Sequence, residues 1–141
     1  MASITPYLTF TDTCEAAFNF YRSVFGGEFV QVVRFKDMPS EHTPASAANL
    51  IAHISLPIGG GTLLLGSDAP EGFGPPINAG NNFSLSLNAQ SKEEATMLFN
   101  GLSAGGNVIM PLDISPWGSF FGMWQDQFGI NWMVSYEMEN K

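Results

Sequence analysis

The sequence predicts an α+β fold built from two tandem copies of a strand–helix–strand–strand–strand (βαβββ) module. Of the 141 residues, 45% are apolar and 13% are charged, which is typical of one folded domain and not of a disordered chain. Segments with strand and helix periodicity follow each other in the same order in both halves. Each predicted helix is also followed by a Gly-Gly pair, and glycine commonly ends a helix.

The repeat is supported by a constant offset between the two halves. A shift of 79 positions places helix starts, core positions and helix ends on one another: Asp12 on Ser91, Glu15 on Glu94, Ala16 on Ala95, Phe20 on Phe99, and Gly26-Gly27 on Gly105-Gly106. The later hairpins align at a shift of 68, because the first half has a longer loop at 36–48. We therefore expect a single domain, 1–141, made of module 1–70, linker 71–81 and module 82–141.

The first module begins with a strand at Ile4–Phe10, where Pro6 is tolerable near a strand start. Asp12 with Glu15 forms a capping-box pattern. The helix that follows reaches Phe25, and its apolar spacing predicts five buried residues: Ala16, Ala17, Phe20, Tyr21 and Val24. Three further strands are predicted at Glu28–Phe35, Asn49–Leu56 and Thr62–Gly66, with a loop at 36–48 and Pro57 closing the middle strand.

The second module starts with a strand at Asn82–Ala89, and Ser91 with Glu94 forms a second capping box. The helix that follows is predicted to bury Ala95, Leu98, Phe99 and Leu102. A strand at Asn107–Leu112 leads to a closing hairpin, Trp117–Glu137, which turns at Asp126–Gly129. In its last strand Ile130, Trp132, Val134 and Tyr136 alternate with Asn131, Met133 and Ser135, so one face is apolar and the other mixed.

The pattern predicts antiparallel sheets with helices on one face only. The other face would be concave and lined by the alternate residues, and two such sheets facing each other would form a cup. Trp124 and Trp132 are expected in the core or at a subunit interface. Asp68, at a strand end, is expected to cap the following turn.

Charge and composition exclude several classes of partner. The formal net charge of −8 argues against nucleic acid and against an anionic membrane surface, because neither gains from an acidic protein. No apolar run reaches the roughly 18 residues of a membrane span. The N-terminus lacks a basic region followed by an apolar core, so we expect no signal peptide and a cytoplasmic protein.

Cys14 is the only cysteine, which excludes a disulfide within the chain. A thiol at a helix start can have a lowered pKa. The simpler expectation for Cys14 is a small, partly buried side chain without chemistry.

Several motifs resemble the PhnB-like branch of the vicinal oxygen chelate superfamily, which includes glyoxalase I, extradiol dioxygenases and bleomycin-resistance proteins. They are Pro6-Tyr7-Leu8, Phe20-Tyr21 ahead of Phe25-Gly26-Gly27-Glu28, Ala52-His53-Ile54, Ser67-Asp68, and Trp117-Gly118, Phe121-Gly122, Asp126-Gln127-Phe128-Gly129 and Trp132-Met133 in the closing hairpin. The resemblance covers nearly the whole chain and implies the glyoxalase/bleomycin-resistance cup and a homodimer. The branch often carries a demethylubiquinone methyltransferase label, but the sequence has no strand, Gly-rich turn and helix suited to S-adenosylmethionine.

The superfamily's chemistry implies a divalent metal held by His or Glu from the first, fourth, fifth and eighth strands. The corresponding positions here are Thr5, Leu65 (or Leu64), Ser84 and Met133. Hydroxyls are weak ligands, leucine has no donor, and a thioether prefers soft copper. We therefore expect no standard metal site and no other cofactor.

A set of polar, methionine and aromatic residues is expected to line a small-molecule pocket. Its members are Thr5, Tyr7, His53, Ser84, Ser86, Trp117, Phe121, Met123, Asn131 and Met133. Ser135 belongs to the same mixed face. His53 is the best candidate for a catalytic base, and the alternative is a structural histidine packed among apolar neighbours. His42 is expected in a solvated loop.

These residues support three hypotheses. The first is a PhnB-like protein that binds a small molecule without the standard metal. The second is a lyase, isomerase or hydrolase in which His53 acts as base, assisted by Tyr7 or Ser84. The third is a metalloenzyme with an unusual site. Whether a reaction occurs is left open by the sequence.

Overall fold

A computed structural model describes residues 2–38, 45–70 and 75–138. Contacts divide these residues into two compact units, the first extending to Asn78 and the second starting at Ala79. Each unit contains a four-stranded sheet and one helix that packs on one face of that sheet. The order of one strand, one helix and three strands recurs in both units, which confirms the α+β class with two βαβββ modules.

The first unit contains β1 (Tyr7–Phe10), α1 (Cys14–Phe25), β2 (Gln31–Arg34), β3 (Ile51–Gly59) and β4 (Thr62–Asp68). Its strands lie side by side in the order β1-β4-β3-β2. Single 3₁₀ turns follow β2 at Phe35–Asp37 and precede β3 at Ala45–Ala47.

The second unit contains β5 (Leu85–Asn88), α2 (Lys92–Ser103), β6 (Asn107–Ile114), β7 (Ser119–Gln125) and β8 (Asn131–Glu137). Its strand order, β5-β8-β7-β6, is the same pattern as in the first unit. The first strand of each sheet therefore lies beside the last one, and β2 and β6 are at corresponding edges.

Both sheets are mixed, and the expectation of purely antiparallel sheets is wrong. β1 runs parallel to β4, and β5 runs parallel to β8, while the remaining pairs are antiparallel. The reason is the helix that follows each first strand. In the first unit the helix carries the chain from β1 to β2 at the far edge of the sheet. The strands β2, β3 and β4 then run back to β1, with consecutive strands antiparallel, so that β4 is parallel to β1.

Strand register agrees with the internal repeat. Leu8 of β1 lies opposite Gly66 of β4, and Leu87 of β5 lies opposite Val134 of β8. A shift of 79 carries Leu8 onto Leu87, and a shift of 68 carries Gly66 onto Val134. These are the two offsets found in the sequence. Corresponding positions in the two sheets can therefore be compared directly.

Several strand limits differ from the predicted ones. β1 begins at Tyr7, because Pro6 before it has no N–H to donate, although the Pro6 carbonyl still accepts from Leu65 N–H at 3.1 Å. β2 begins at Gln31, because the Arg22 side chain bonds both Gly27 and Glu28 and keeps them at the end of α1.

β3 continues through Pro57 to Gly59, although Pro57 was expected to end it. Proline lacks a backbone N–H, but it is tolerated at this position. The pairing of β2 with β3 ends at Ser55, so no strand on the β2 side would accept a hydrogen bond from residue 57. β5 is shorter than predicted and is limited to Leu85–Asn88, where it pairs with Trp132–Ser135 of β8.

The start and the buried face of α1 also differ from the prediction. Thr13 is the N-cap residue and makes no side-chain cap; the proposed Asp12–Glu15 capping box is absent. The N–H of Cys14 instead donates to Asp68 Oδ1 at 3.0 Å. The buried residues are Cys14, Ala17, Phe18 and Tyr21, whereas Ala16 is exposed and Phe20 and Val24 are half-buried.

Phe18 becomes a core residue because it packs against a strand glycine. A Cβ placed on Gly66 would lie 2.6 Å from Phe18 Cε1, so only glycine leaves room for this ring. In the second unit, a Cβ on Gly122 would lie 2.8 Å from Phe99 Cε2. Both helices thus approach their sheets closely at a glycine.

α2 agrees with the prediction. Its N-cap Ser91 accepts a hydrogen bond from Glu94 N–H, and the residues it buries are Ala95, Leu98, Phe99 and Leu102. Trp124 and Trp132 are fully buried beside it, with their rings stacked at a centroid distance of 6.4 Å. In the described ranges, neither helix has the length and apolar character that crossing a membrane requires.

Candidate functional site

Each sheet has one face covered by its helix and one face without a helix. In the first unit Leu8, Ile54, Leu64 and Gly66 point to α1, so the residues between them lie on the helix-free face. In the second unit Gly122 and Val134 point to α2. The alternate residues of the strands therefore line the helix-free faces, as the sequence pattern predicts.

Tyr7 and His53 meet on the helix-free face of the first unit. Their ring centroids are 6.1 Å apart and the planes are tilted by 37°. Tyr7 lies opposite Leu65 of β4, and Leu65 lies opposite Ser55 of β3, so the Tyr7 ring reaches His53 across β4. Tyr7 remains 49% exposed, and His53 is half-buried.

Ser55 is a residue of this face that was missed in the sequence. It lies two residues after His53 on the same side of β3 and is only 4% exposed. Within the described ranges no hydrogen bond to its hydroxyl is found, whereas its carbonyl accepts from Val30 N–H at 3.0 Å. The period of two that places His53 on the face applies equally to Ser55, so the signal was present in LIAHISL.

The structure places Thr5 outside the strands of the first unit. Thr5 precedes β1 and is exposed. His42 lies outside the described residues.

The helix-free face of the second unit is formed by methionine, aromatic and small polar residues. Ser86, Met133 and Met123 lie side by side across β5, β8 and β7. Phe121 lies next along β7 and contacts Trp117 edge to face at 5.6 Å. Trp117 itself is 62% exposed, in the turn before β7.

The remaining residues predicted for this face lie near its ends. Asn131 donates from Nδ2 to the Gly80 carbonyl at 2.8 Å, which ties the start of β8 to the chain before β5. Ser84 precedes β5. Met110 of β6, opposite Met123, extends the methionine surface and was not predicted.

Both arginines of the first unit are paired with carboxylates. Arg34 makes two hydrogen bonds to Glu15, at 2.7 and 3.0 Å, and Arg22 is paired with Glu28 at 2.7 Å. The hydrogen bond from Arg34 lowers the pKa of Glu15 and raises that of Arg34. Both arginines of the chain's first half thus face carboxylates.

The residues at the expected metal positions do not fit a divalent metal. The alignment ambiguity between Leu64 and Leu65 is resolved, because Leu64 is buried under α1 and Leu65 lies on the helix-free face. Leucine offers no donor atom, and Met133 offers only a thioether. Across the described ranges no group of three or more His, Cys, Asp or Glu side chains is arranged to hold a metal ion.

Cys14 and Asp68 belong to the core of the first unit and not to a pocket. Burial, with the nearby carboxylates of Asp68 and Glu15, raises the pKa of the fully buried Cys14 thiol strongly, so it is not a reactive thiolate. The expectation that Asp68 caps the following turn is wrong. Its oxygens accept from Cys14 N–H and from Ile51 N–H, at 3.0 and 2.9 Å, and so tie α1 and β3 to the end of β4.

A cavity of about 310 Å³ lies at the start of α2 and the end of β8, away from every predicted site residue. Its lining combines Lys92 and Glu93 with Ser91, Tyr136 and Met138. Lys92 lies over the Phe120 ring, with Nζ 5.5 Å from the centroid. Because the lining carries both charge signs, it selects no obvious class of ligand.

Comparison with known proteins identifies relatives over nearly the whole chain. Residues 2–135 match the family model described as 3-demethylubiquinone-9 3-methyltransferase. Protein YjdN of Escherichia coli K12 is 28% identical, with 94% of this chain and 93% of that protein aligned.

Solved structures agree with this family. The structure of protein PA1353 from Pseudomonas aeruginosa has 38% identity and a TM-score of 0.85, with 99% of this chain and 100% of that chain covered. The PhnB protein of Bacillus cereus has 25% identity and a TM-score of 0.76, with 96% and 99% covered. A glyoxylase/bleomycin resistance protein/dioxygenase domain from Frankia, at 12% identity and a TM-score of 0.69 over 100% and 96%, shares the fold.

Proposed function

This chain belongs to the PhnB-like family described as 3-demethylubiquinone-9 3-methyltransferase, and from that premise we propose that it binds a small organic molecule without the divalent metal of glyoxalase-type proteins. The observation that supports binding most directly is the make-up of the helix-free faces. Partly exposed aromatic and methionine side chains alternate there with a few hydroxyl, amide and imidazole groups. Ligand pockets are usually built from such a mixture.

The family description names a methyl transfer, which the local structure does not support. The connection from β1 to α1 is Thr11-Asp12-Thr13, without the glycines that let a backbone approach a nucleotide-like cofactor. We therefore propose binding for sequestration or sensing as the role of this chain.

A panel of metabolites and antibiotics tests the proposal by thermal shift. A true ligand raises the melting temperature, because it binds the folded state and not the unfolded chain. The same measurement on Met133→Ala and Tyr7→Ala assigns the ligand to a face, since only one of the two variants should lose most of the shift. The binding role is rejected if no compound in the panel stabilises the protein.

A second candidate function is catalysis with His53 as general base. The observation in its favour is the contact between His53 and Tyr7, which brings two proton-transferring groups to one partly exposed face. His53→Ala separates the two candidates. Catalysis is supported if wild type converts a compound that His53→Ala does not, while both proteins have the same melting temperature. Binding alone is supported if neither protein converts the ligand and both bind it with the same affinity.

Metal content tests the third possibility, a metalloenzyme with an unusual site. We expect well under one equivalent of any transition metal per chain by elemental analysis of protein purified without chelator, because the positions that would hold the ion lack suitable donors. Near-stoichiometric metal that EDTA removes, with loss of activity, would contradict the proposal.

We further propose a cytoplasmic homodimer. The acidic, mainly uncharged-polar surface suits the cytoplasm, and the dimer is supported by the exposed apolar residues of edge strand β6: Val108, Ile109, Met110 and Ile114. Apolar side chains grouped on one strand mark a surface that is commonly covered by a partner.

A further inference from the structure

From the first unit we infer that Ser55, together with Tyr7 and His53, forms a hydrogen-bonding slot for an uncharged polar ligand, and that this slot discriminates against anions. The inference rests on the proposed binding function and deepens it, because it assigns one face and one ligand charge. Ser55 was not among the predicted site residues. The inference depends on where Ser55 lies relative to the rings of Tyr7 and His53.

The slot is defined by strand register. Tyr7, Leu65 and Ser55 lie in one row across β1, β4 and β3, and His53 lies on the next row of β3. The Tyr7 ring comes within 6.1 Å of the His53 ring, so the two rings and Ser55 lie near one another on this face. Ser55 is 4% exposed, while Tyr7 is 49% exposed.

The Ser55 hydroxyl is available to a ligand. Among the described residues, no hydrogen bond reaches it, and the fully enclosed side-chain polar atom without a partner is the indole nitrogen of Trp124, not the Ser55 oxygen. The small exposed area of Ser55 thus includes its hydroxyl. A hydroxyl without a partner in the protein can exchange its contact with water for a hydrogen bond to a ligand.

The charge of the ligand follows from what surrounds the slot. By strand alternation its neighbours on the helix-free face are Gln31, Val33, Leu63 and Ser67, none of which is charged. The two arginines of this unit are paired with Glu15 and Glu28, and Lys36 lies beyond the end of β2, in the 3₁₀ turn. A bound carboxylate or phosphate would lose its hydration without gaining a fixed cation, which is costly. A neutral amide or alcohol can use the hydroxyl, the phenol and the imidazole as donors and acceptors.

The slot is specific to the first unit. The repeat offsets place Ser86 at the position of Tyr7, Phe121 at that of His53, and Met123 at that of Ser55. The second unit therefore has methionine and phenylalanine where the first has hydroxyl and imidazole. Ser103→Ala, at the end of α2 and outside both helix-free faces, is the control for Ser55→Ala.

Three probes of the same shape but different charge test the inference: benzamide, benzoate and benzylamine. Binding is followed by NMR through the ring protons of His53, which are assigned with His42→Gln because the chain has only two histidines. We expect benzamide to shift these protons and to bind at least about ten-fold more tightly than benzoate. Ser55→Ala should weaken benzamide binding roughly two- to twelve-fold, the value of one net hydrogen bond, and Ser103→Ala should leave it unchanged.

Ser55→Cys has a side chain of similar shape but a much weaker hydrogen-bond donor. It provides a second measurement of the loss in benzamide affinity if Ser55→Ala is less stable. Tighter binding of benzoate, or equal benzamide affinity in wild type, Ser55→Ala and Ser55→Cys, would overturn the inference and leave small-molecule binding intact. If none of the probes perturbs the first unit while a ligand from the thermal-shift panel binds the second, the slot is again rejected. Failure of the whole panel rejects the proposed function itself.

Discussion

At the scale of single residues, Asp68 connects three elements of the first unit. Its two carboxylate oxygens accept from the backbone N–H groups of Cys14 and Ile51, and the side chain is almost fully buried. Desolvation raises its pKa, while the two backbone hydrogen bonds act in the opposite direction. A buried acceptor of this kind is needed because both donors would otherwise be left without partners.

Replacing Asp68 by alanine is expected to lower the free energy of unfolding by about 2 to 3 kcal/mol, because two backbone donors lose a charged or polar acceptor. Asp68→Asn keeps one carbonyl oxygen and should cost less. Urea unfolding of both variants measures the difference. An alanine variant as stable as the asparagine variant would show that the two hydrogen bonds contribute little.

The pH dependence of Asp68→Asn has a definite sign. Because the folded-state pKa of Asp68 is raised above its ordinary 3.8, the folded protein binds more protons than the unfolded chain in that interval, and stability falls as the pH rises through it. The stability advantage of wild type over Asp68→Asn should therefore be largest below pH 3.8. Glu15, whose pKa is lowered, acts in the opposite sense, and its repulsion of Asp68 is one cause of the raised Asp68 pKa, so this pair contributes to the difference between the two proteins.

At the scale of secondary-structure elements, the two helices start by different means. The N-cap of α2 is local: the Ser91 hydroxyl accepts from Glu94 N–H at 3.0 Å, and Glu94 accepts from Gln90 N–H at 2.7 Å. α1 has no side-chain cap from Thr13 and relies on Asp68, 54 positions from Cys14. The same sequence pattern is therefore a cap in one unit and not in the other.

Ser91→Ala and Thr13→Ala form a matched pair that tests this difference. We expect Ser91→Ala to cost about 1 kcal/mol of stability, the usual value of a lost N-cap, and Thr13→Ala to change it by less than about 0.5 kcal/mol. Chemical denaturation with a common baseline for both variants provides the comparison. Equal losses would mean that Thr13 caps α1 in solution.

At the scale of the whole molecule, the exposed apolar edge strand β6 is the feature on which the proposed homodimer depends. β6 carries three adjacent exposed apolar residues, Val108, Ile109 and Met110, and has Asp113 as its one charged residue. Pro111 and two register irregularities interrupt its pairing, which limits unspecific strand addition at this edge. Side-chain contact with a second copy is the form of association that such an edge allows.

We expect light scattering to give twice the 15.3 kDa mass of the chain. Ile109→Lys should shift the protein toward the monomer, because burying an unpaired charge in an interface is unfavourable. Met97→Lys on α2 is the control, since Met97 and Ile109 are similarly exposed, at 48% and 51%. A wild-type monomer, or equal effects of both lysines, would rule out the β6 interface.

Much of the fold can be predicted from the sequence, because it depends on local periodicity. The order of elements, the four core residues of α2 and the Ser91 cap follow from spacing within a few turns of chain. The placement of Met133 on a helix-free face follows from alternation along β8, whereas the choice between Leu64 and Leu65 needed the structure. The absence of metal-type donors at those positions is likewise evident from residue types alone.

Other features depend on contacts between distant segments. The parallel pairing of β1 with β4, the cap that Asp68 supplies to α1, and the room that Gly66 leaves for Phe18 join residues about fifty or more positions apart. Local propensity does not report which distant acceptor a backbone donor will find. The proposed slot at Ser55 belongs to this class, since Tyr7 reaches the row of Ser55 only when β1 pairs with β4.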